Sequence, residues 1–130
     1  MILYEALRLF PPGSSVFREA LCDLKLGELF VAKGMTITIP IVAIHLDPQL
    51  WGDNVYEFDP GRFSKGIRKA SKHPMAFLPF AHGPRNCLGQ LFAMLEAKLV
   101  LGTLLSKFSF APSPSLLYGL SMVLLSSSKG

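Results

Sequence analysis

The chain has 130 residues, of which 50% are hydrophobic and 17% charged, and carries a formal net charge of +4. That balance is globular, with apolar surface enough for a core, and it excludes a disordered polar segment. The charge is too dilute for a nucleic-acid partner, which wants a dense basic patch interleaved with aromatics. Two cysteines, Cys22 and Cys87, exclude a disulfide framework and a cysteine-rich zinc pattern.

Residues 1–10 predict a helix with Ile2, Leu3, Ala6, Leu7, Leu9 and Phe10 apolar, stopped by Pro11-Pro12-Gly13. No capping residue precedes it, so the chain is expected to begin partway through an element. No basic region followed by an apolar stretch and a cleavage site occurs at the start, which excludes a signal-peptide reading. Glu5 and Arg8 sit one helical turn apart. By spacing alone they are a surface ion pair worth a few tenths of a kcal/mol. On a helix so apolar, a buried carboxylate and guanidinium that need each other is the competing reading.

After the double proline the period changes from 3.6 to 2. Residues 16–20, 24–31 and 35–39 read as short strands broken by Gly27-Glu28 and Lys33-Gly34, giving hairpins of a small sheet. Arg18 stands in the first of them, where a charge normally faces water. Residues 40–51 predict a short helix ending at Asp47-Pro48, and residues 52–74, rich in Gly, Asp, Asn and Lys, predict an extended meander. Lys65, Arg68, Lys69 and Lys72 make a local basic run whose default reading is a solvated loop. His45, His73 and His82 lack the i, i+4 pairing of helical metal sites.

At residues 80–89, Phe-Ala-His-Gly-Pro-Arg-Asn-Cys-Leu-Gly, an apolar run breaks on a glycine-proline turn and Cys87 precedes a long helical pattern. A free cysteine is more often a small buried hydrophobe than a ligand. Against that, a helix N-terminus favours the thiolate, which is the metal-binding form. Arg85 offers a cation to the loop or to an anionic cofactor group, and Gly83 and Gly89 allow backbone to approach a flat ligand. Beyond Cys87, Leu88, Leu91, Phe92, Leu95, Leu99, Gly102 and Leu105 recur at helical spacing and read as core packing that supports the loop. Residues 108–128 are uncharged, but Pro112, Pro114 and several serines argue for strands and turns over a membrane-spanning helix.

Phe80, Gly83, Arg85, Cys87 and Gly89 together fit the F-x-x-G-x-R-x-C-x-G signature of the haem-thiolate monooxygenases, the cytochrome P450 superfamily. Five fixed positions arise by chance in such a chain on the order of 10⁻⁵ to 10⁻⁴ of the time. Ala81 departs from the glycine common at its position. Glu5-Ala6-Leu7-Arg8 resembles the family's E-x-x-R helix, and residues 58–63 its P-x-R-F segment, with Gly61 where glutamate is frequent. Ala43, His45, Asp47, Pro48, Trp51 and Gly52 resemble its A-x-H-x-D-P-x-x-W-G stretch. Lys72-His73-Pro74 and Met94-x-Glu96-x-Lys98 look most like plant microsomal members that hydroxylate hormone-like isoprenoids such as gibberellins or cytokinins.

The resemblance covers nearly the whole chain and implies a mixed α and β fold, mainly α: residues 1–130 as the C-terminal haem-binding portion of a cytochrome P450 domain, with small hairpins and incomplete by itself. It implies haem b, with Cys87 as axial ligand of the iron, and Arg85, Arg18, Phe80, Gly83 and Gly89 around the cofactor. Arg18 would reach a propionate; as a plain strand residue it would face water. Glu5, Arg8 and Arg62 would form a buried structural triad, His45 would pack or hydrogen-bond, and residues 13–17 would pass over the haem and touch substrate. The thiolate would donate electron density that favours O–O cleavage. A terminal hairpin turning near Tyr118-Gly119 would border the substrate cavity.

Implied partners are NADPH–cytochrome P450 reductase, which delivers electrons from NADPH and would meet the basic run, and a small lipophilic substrate. The full-length family sits at the endoplasmic reticulum membrane through an N-terminal anchor that, like the oxygen-activating helix, is expected upstream of these residues. Two functions stand: a monooxygenase that works as part of a longer polypeptide, and an inactive truncated fragment with weak or no haem binding.

Overall fold

The structure, a computed structural model, describes residues 1–111. Helix α1, Ile2–Leu9, opens the chain. Its N-terminal Met1 makes no side-chain cap, and its C-terminal turn closes when the Phe10 N–H reaches Ala6 O at 2.8 Å, after which the double proline ends it.

Four strands follow: β1 Ser15–Glu19, β2 Leu24–Leu26, β3 Leu29–Val31 and β4 Thr36–Pro40. They do not form one sheet of successive hairpins. β2 and β3 pair with each other across Gly27-Glu28, while β1 pairs antiparallel with β4, Arg18 lying opposite Ile37. The Ala20 N–H donates to Met35 O at 2.9 Å and the Gly34 N–H to Ala20 O at 2.8 Å, extending the β1–β4 ladder around the smaller hairpin. Local turn signals find each strand; the outer pairing depends on where the inserted hairpin brings the chain back.

The helix expected over residues 40–51 is two short helices, α2 Ile41–His45 and α3 Pro48–Trp51. Asp47 breaks between them because it caps α3, its Oδ1 accepting from the Gln49 N–H at 2.8 Å, and proline takes the first helical position. The meander is irregular but carries two 3-10 turns, Pro60–Phe63 and Ile67–Lys69. Asp59 caps the first through the Gly61 N–H at 2.9 Å, and a Cβ on Gly61 would meet that same oxygen at 2.9 Å, so glycine suits the turn as built.

The core sits beneath this irregular segment. Trp51, Val55, Phe63, Ala70, Ala76 and Phe77 are its buried residues, with Tyr4 and Leu7 of α1 packed against them. Phe63 and Phe77 meet edge to face at 5.1 Å between ring centroids. Burial of each such ring contributes on the order of 1.5–3 kcal/mol.

Helix α4, Gln90–Lys107, begins just past the cysteine loop. Apolar residues occupy most of its surface, with Glu96, Lys98 and Lys107 interspersed. Met94, Ala97 and Leu101 are half-buried, whereas Leu91 is 84%, Leu95 67% and Leu99 69% exposed. The expectation that Leu88, Leu91, Phe92, Leu95, Leu99, Gly102 and Leu105 form core packing is therefore corrected: all of them are exposed, and nothing among the described residues covers this side. The reason is placement: the core is built from α1, α3 and the irregular segment without α4, and α4 faces α1 across open cavities, one of about 260 Å³ between Leu3, Leu7, Phe10, Ala93, Met94 and Ala97. No described helix is long and apolar enough to cross a membrane. The terminal hairpin near Tyr118-Gly119 lies outside the described residues.

Candidate functional site

The two residues of α1 that are fully buried are its charged ones, Glu5 and Arg8. Arg8 grips Glu5 with two hydrogen bonds, Nε to Oε2 at 2.9 Å and Nη2 to Oε1 at 2.8 Å. Its remaining donors reach His45 O at 2.9 Å and Glu57 O at 3.2 Å, and its guanidinium lies 5.3 Å from the Trp51 ring centroid. One side chain thus ties α1 to the end of α2 and to the meander. The surface-pair reading of Glu5 and Arg8 is excluded.

Arg62 completes the cluster. Its Nη1 donates to Trp51 O at 2.9 Å and to Asn54 Oδ1 at 3.1 Å, its Nη2 to Asn54 O at 3.1 Å, and its buried Nε faces Glu5 Oε1 at 3.6 Å without a hydrogen bond. Arg62 therefore contributes to Glu5 through charge. Burial raises the Glu5 pKa, but hydrogen bonds from Arg8 and from the Asp59 N–H at 3.0 Å, with the charges of Arg8 and Arg62, outweigh it and leave the carboxyl below its ordinary value.

His45 is fully buried beside this cluster. Its Nδ1 lies 3.0 Å from Arg8 O, and the Leu78 N–H donates to its Nε2 at 2.8 Å. A backbone N–H only donates and a carbonyl only accepts, so the ring is neutral with its proton on Nδ1. Desolvation lowers its pKa to about 4, assisted by the Arg8 charge. Phe77 stacks on the ring at 5.6 Å and Trp51 meets it edge-on at 6.2 Å.

From Leu78 the chain enters the cysteine loop. The Ala81 N–H donates to Leu78 O at 3.1 Å, the Cys87 N–H to Phe80 O at 2.9 Å, and the Asn86 N–H to Gly83 O at 3.1 Å. The last bond closes a β-turn with Pro84 at its second position, where its fixed φ fits. Gly83 has φ +84° and Ala81 φ +57°. The left-handed region suits glycine and costs alanine about 1–2 kcal/mol, so the departure at Ala81 carries local strain. Cys87 is exposed and stands two residues before Gly89, the residue that flanks the start of α4.

An open cavity of about 340 Å³ collects Cys87, Arg85, Phe80 and Ala81 from the loop, Arg18, Val16 and Ser15 from β1, and Pro12 and Gly13 before it. Arg18 is half-buried, with its Nη1 on Phe17 O at 2.8 Å, and so lies at this cavity instead of pointing fully to water. A sulfur ligand, an apolar floor and two guanidinium groups fit a flat, largely apolar macrocycle with anionic edges. Gly83 and Gly89 flank the loop without lining the cavity: Gly83 answers to backbone conformation, and a Cβ on Gly89 would sit 3.9 Å from Cys87 Sγ, an ordinary contact. Lys65, Arg68, Lys69 and Lys72 are exposed.

Sequence reasoning misses the backbone half of this arrangement. His45 O, Glu57 O, Trp51 O and the Asp59 and Leu78 N–H groups satisfy the buried charges and the histidine, and a backbone group has no residue-type signature. The usable signal is Asp59-Pro60, a cap whose side chain takes the Gly61 N–H while the Asp59 N–H donates to Glu5.

The sequence matches the family model for cytochrome P450 over residues 1–125. It is 50% identical over 115 residues to cytochrome P450 72A397 of Kalopanax septemlobus, covering 88% of this chain and 22% of that protein. To 11-oxo-beta-amyrin 30-oxidase of Glycyrrhiza uralensis it is 51% identical, with coverages of 88% and 22%, and to cytokinin hydroxylase of Arabidopsis thaliana 51%, with 86% and 21%. The retinoic-acid-bound cyanobacterial CYP120A1 superposes with a TM-score of 0.78 at 37% identity, over 88% of this chain and 26% of that one. The chain belongs to the cytochrome P450 family. Its mixed fold of helices and small antiparallel sheets is part of that fold, and it spans 22% of the length of the curated relatives named first.

Proposed function

We propose that this chain supplies the proximal, cysteine-bearing half of a haem-thiolate monooxygenase and works within a longer polypeptide. The observation that carries this reading is the convergence on one open cavity of Cys87 and Arg85 from the cysteine loop with Arg18 from β1, two stretches distant in sequence. Cys87 is the residue of this cavity that would hold an iron, as the thiolate. Bound there, haem b would supply the oxygen chemistry that inserts one atom of O2 into a C–H bond.

The chain's own residues do the rest of the proximal work. Cys87 Sγ would hold the iron as thiolate and Arg18 and Arg85 would neutralise the cofactor's carboxylates, with Phe80 lining the same cavity. Gly13, Ser15 and Val16 border the face where a small lipophilic substrate lies. Glu5, Arg8 and Arg62 hold the loop's foundation and touch no reactant. The exposed apolar side of α4 supports the requirement for further chain, because Leu91, Leu95 and Leu99 need cover that the described residues do not provide. Electrons come from NADPH through a reductase whose acidic surface meets Lys65, Arg68, Lys69 and Lys72. The endoplasmic reticulum membrane is the proposed location of the whole protein. Relatives that include an 11-oxo-beta-amyrin 30-oxidase and a cytokinin hydroxylase, each 51% identical, support a plant isoprenoid-type substrate.

The test is spectroscopic. The haem-loaded polypeptide that carries this chain, reduced under carbon monoxide, is expected to show the red-shifted Soret band of thiolate ligation, and Cys87→Ser is expected to abolish it. Survival of that band in the serine variant would overturn the ligand assignment.

A further inference from the structure

The structure contains a buried titratable group that a proximal ligand loop does not by itself require. His45 is 0% exposed, lies on α2 without lining the cavity, and makes both of its ring hydrogen bonds to backbone. We infer that His45 is a positioning residue for the thiolate loop, a neutral bridge that joins the Arg8 end of the buried ion-pair cluster to Leu78 and so holds residues 78–87 in register. This rests on the proposed reading of Cys87 as the iron ligand.

Three features carry the inference. First, the groups His45 joins have no secondary structure to pair them: Arg8 O is a carbonyl of α1's last turn, and the Leu78 N–H lies outside every helix and strand. Second, the bonds run on toward the sulfur. Leu78 O accepts from the Ala81 N–H at 3.1 Å, and Phe80 O accepts from the N–H of Cys87 itself at 2.9 Å. Third, the ring has little freedom to turn, because Phe77 stacks on it with an interplanar angle of 18° and Trp51 abuts it edge-on. Packing alone asks only for an aromatic ring. The bridge asks for an acceptor facing Leu78 and a donor facing Arg8, which a neutral histidine provides together.

The two bonds can be separated. A glutamine amide reaches about as far as Nε2 and can accept from Leu78; an asparagine amide reaches about as far as Nδ1 and serves only Arg8 O. In the haem-loaded polypeptide, His45→Gln is expected to keep most of the thiolate-type carbon monoxide complex. His45→Asn and His45→Phe are expected to lose it several-fold at equal haem content, in favour of the blue-shifted thiol-ligated form. Amide exchange at Leu78, measured in the apoprotein, is expected to accelerate about tenfold or more in the asparagine and phenylalanine variants and little in the glutamine variant.

Equal behaviour of the glutamine and asparagine variants, or a Leu78 amide that stays protected in both, would overturn the inference. If the phenylalanine variant does not fold, the glutamine and asparagine pair still decides it. A thiolate band that persists in Cys87→Ser would sink the ligand assignment instead, and the exchange comparison tests the bridge separately from that result.

Discussion

Arg8 holds both carboxylate oxygens of Glu5, at 2.9 Å and 2.8 Å, with both side chains 0% exposed. A bidentate pair this deep in a helix-to-loop junction gives fixed geometry as well as charge neutralisation. Because Arg8 also donates to His45 O and Glu57 O, the pair anchors three segments at once.

Removing one partner leaves the other charge buried and uncompensated. Arg8→Ala is expected to destabilise the folded protein by about 3–5 kcal/mol and to prevent haem incorporation, checked by denaturant unfolding of the apoprotein and by haem yield. A normal haem yield would contradict the structural role. Arg8→Lys keeps the charge but not the fork, and is expected to fall between wild type and alanine.

Stability is expected to fall in acid in two stages. His45 has a folded pKa of about 4 against an ordinary 6.5, so between those values the unfolded chain binds a proton that the folded one refuses. Stability therefore drops as pH falls through that window, by at most on the order of 3 kcal/mol. The charge that faces the ring is Arg8, with Glu5 paired behind it. Glu5, depressed below 4.5, contributes stability that is present above its ordinary pKa and is lost as pH falls through its folded one. Urea midpoints at successive pH values test this: His45→Gln should flatten the upper stage and leave the lower one.

Ala81, at φ +57°, sits where a Cβ is unfavourable. Ala81→Gly relieves about 1–2 kcal/mol of strain and adds about 0.4–1 kcal/mol of unfolded-chain entropy. A net gain of roughly 0.5–1 kcal/mol in unfolding free energy is expected from that difference. Gly83→Ala, at φ +84°, is expected to lose stability in the same assay.

Charge reversal at Lys65, Arg68, Lys69 and Lys72 is expected to weaken coupling to the proposed reductase and to flatten its dependence on ionic strength. Unchanged reduction rates over a salt series would return this run to a plain solvated loop.

Much of the local structure was legible because it depends on neighbours in sequence. Period 3.6 with a double-proline stop marks α1, period 2 marks the strands, and the pattern of Phe80, Gly83, Arg85, Cys87 and Gly89 marks the family and the loop. The single helix that the pattern predicts over residues 40–51 is two, because Asp47 caps a second helix in addition to following the first.

The core was not legible: Val55, Phe63, Ala70 and Ala76 lie in a segment without periodicity, so no pattern separates their inward side chains from their outward ones. The apolar stripe of α4 misled for the complementary reason, since periodicity reports that a face needs covering and not whether the described residues cover it.

The loop around Cys87 was determined by sequence in its residues and by tertiary structure in its setting. Which side chains carry sulfur and charge follows from residue identity. That Arg18 and Arg85 share a cavity with Cys87, and that His45 connects Arg8 to Leu78, follows from segments distant in sequence meeting through backbone groups. Backbone donors and acceptors are common to nearly every residue, so only the folded path of the chain selects which of them a buried side chain will find.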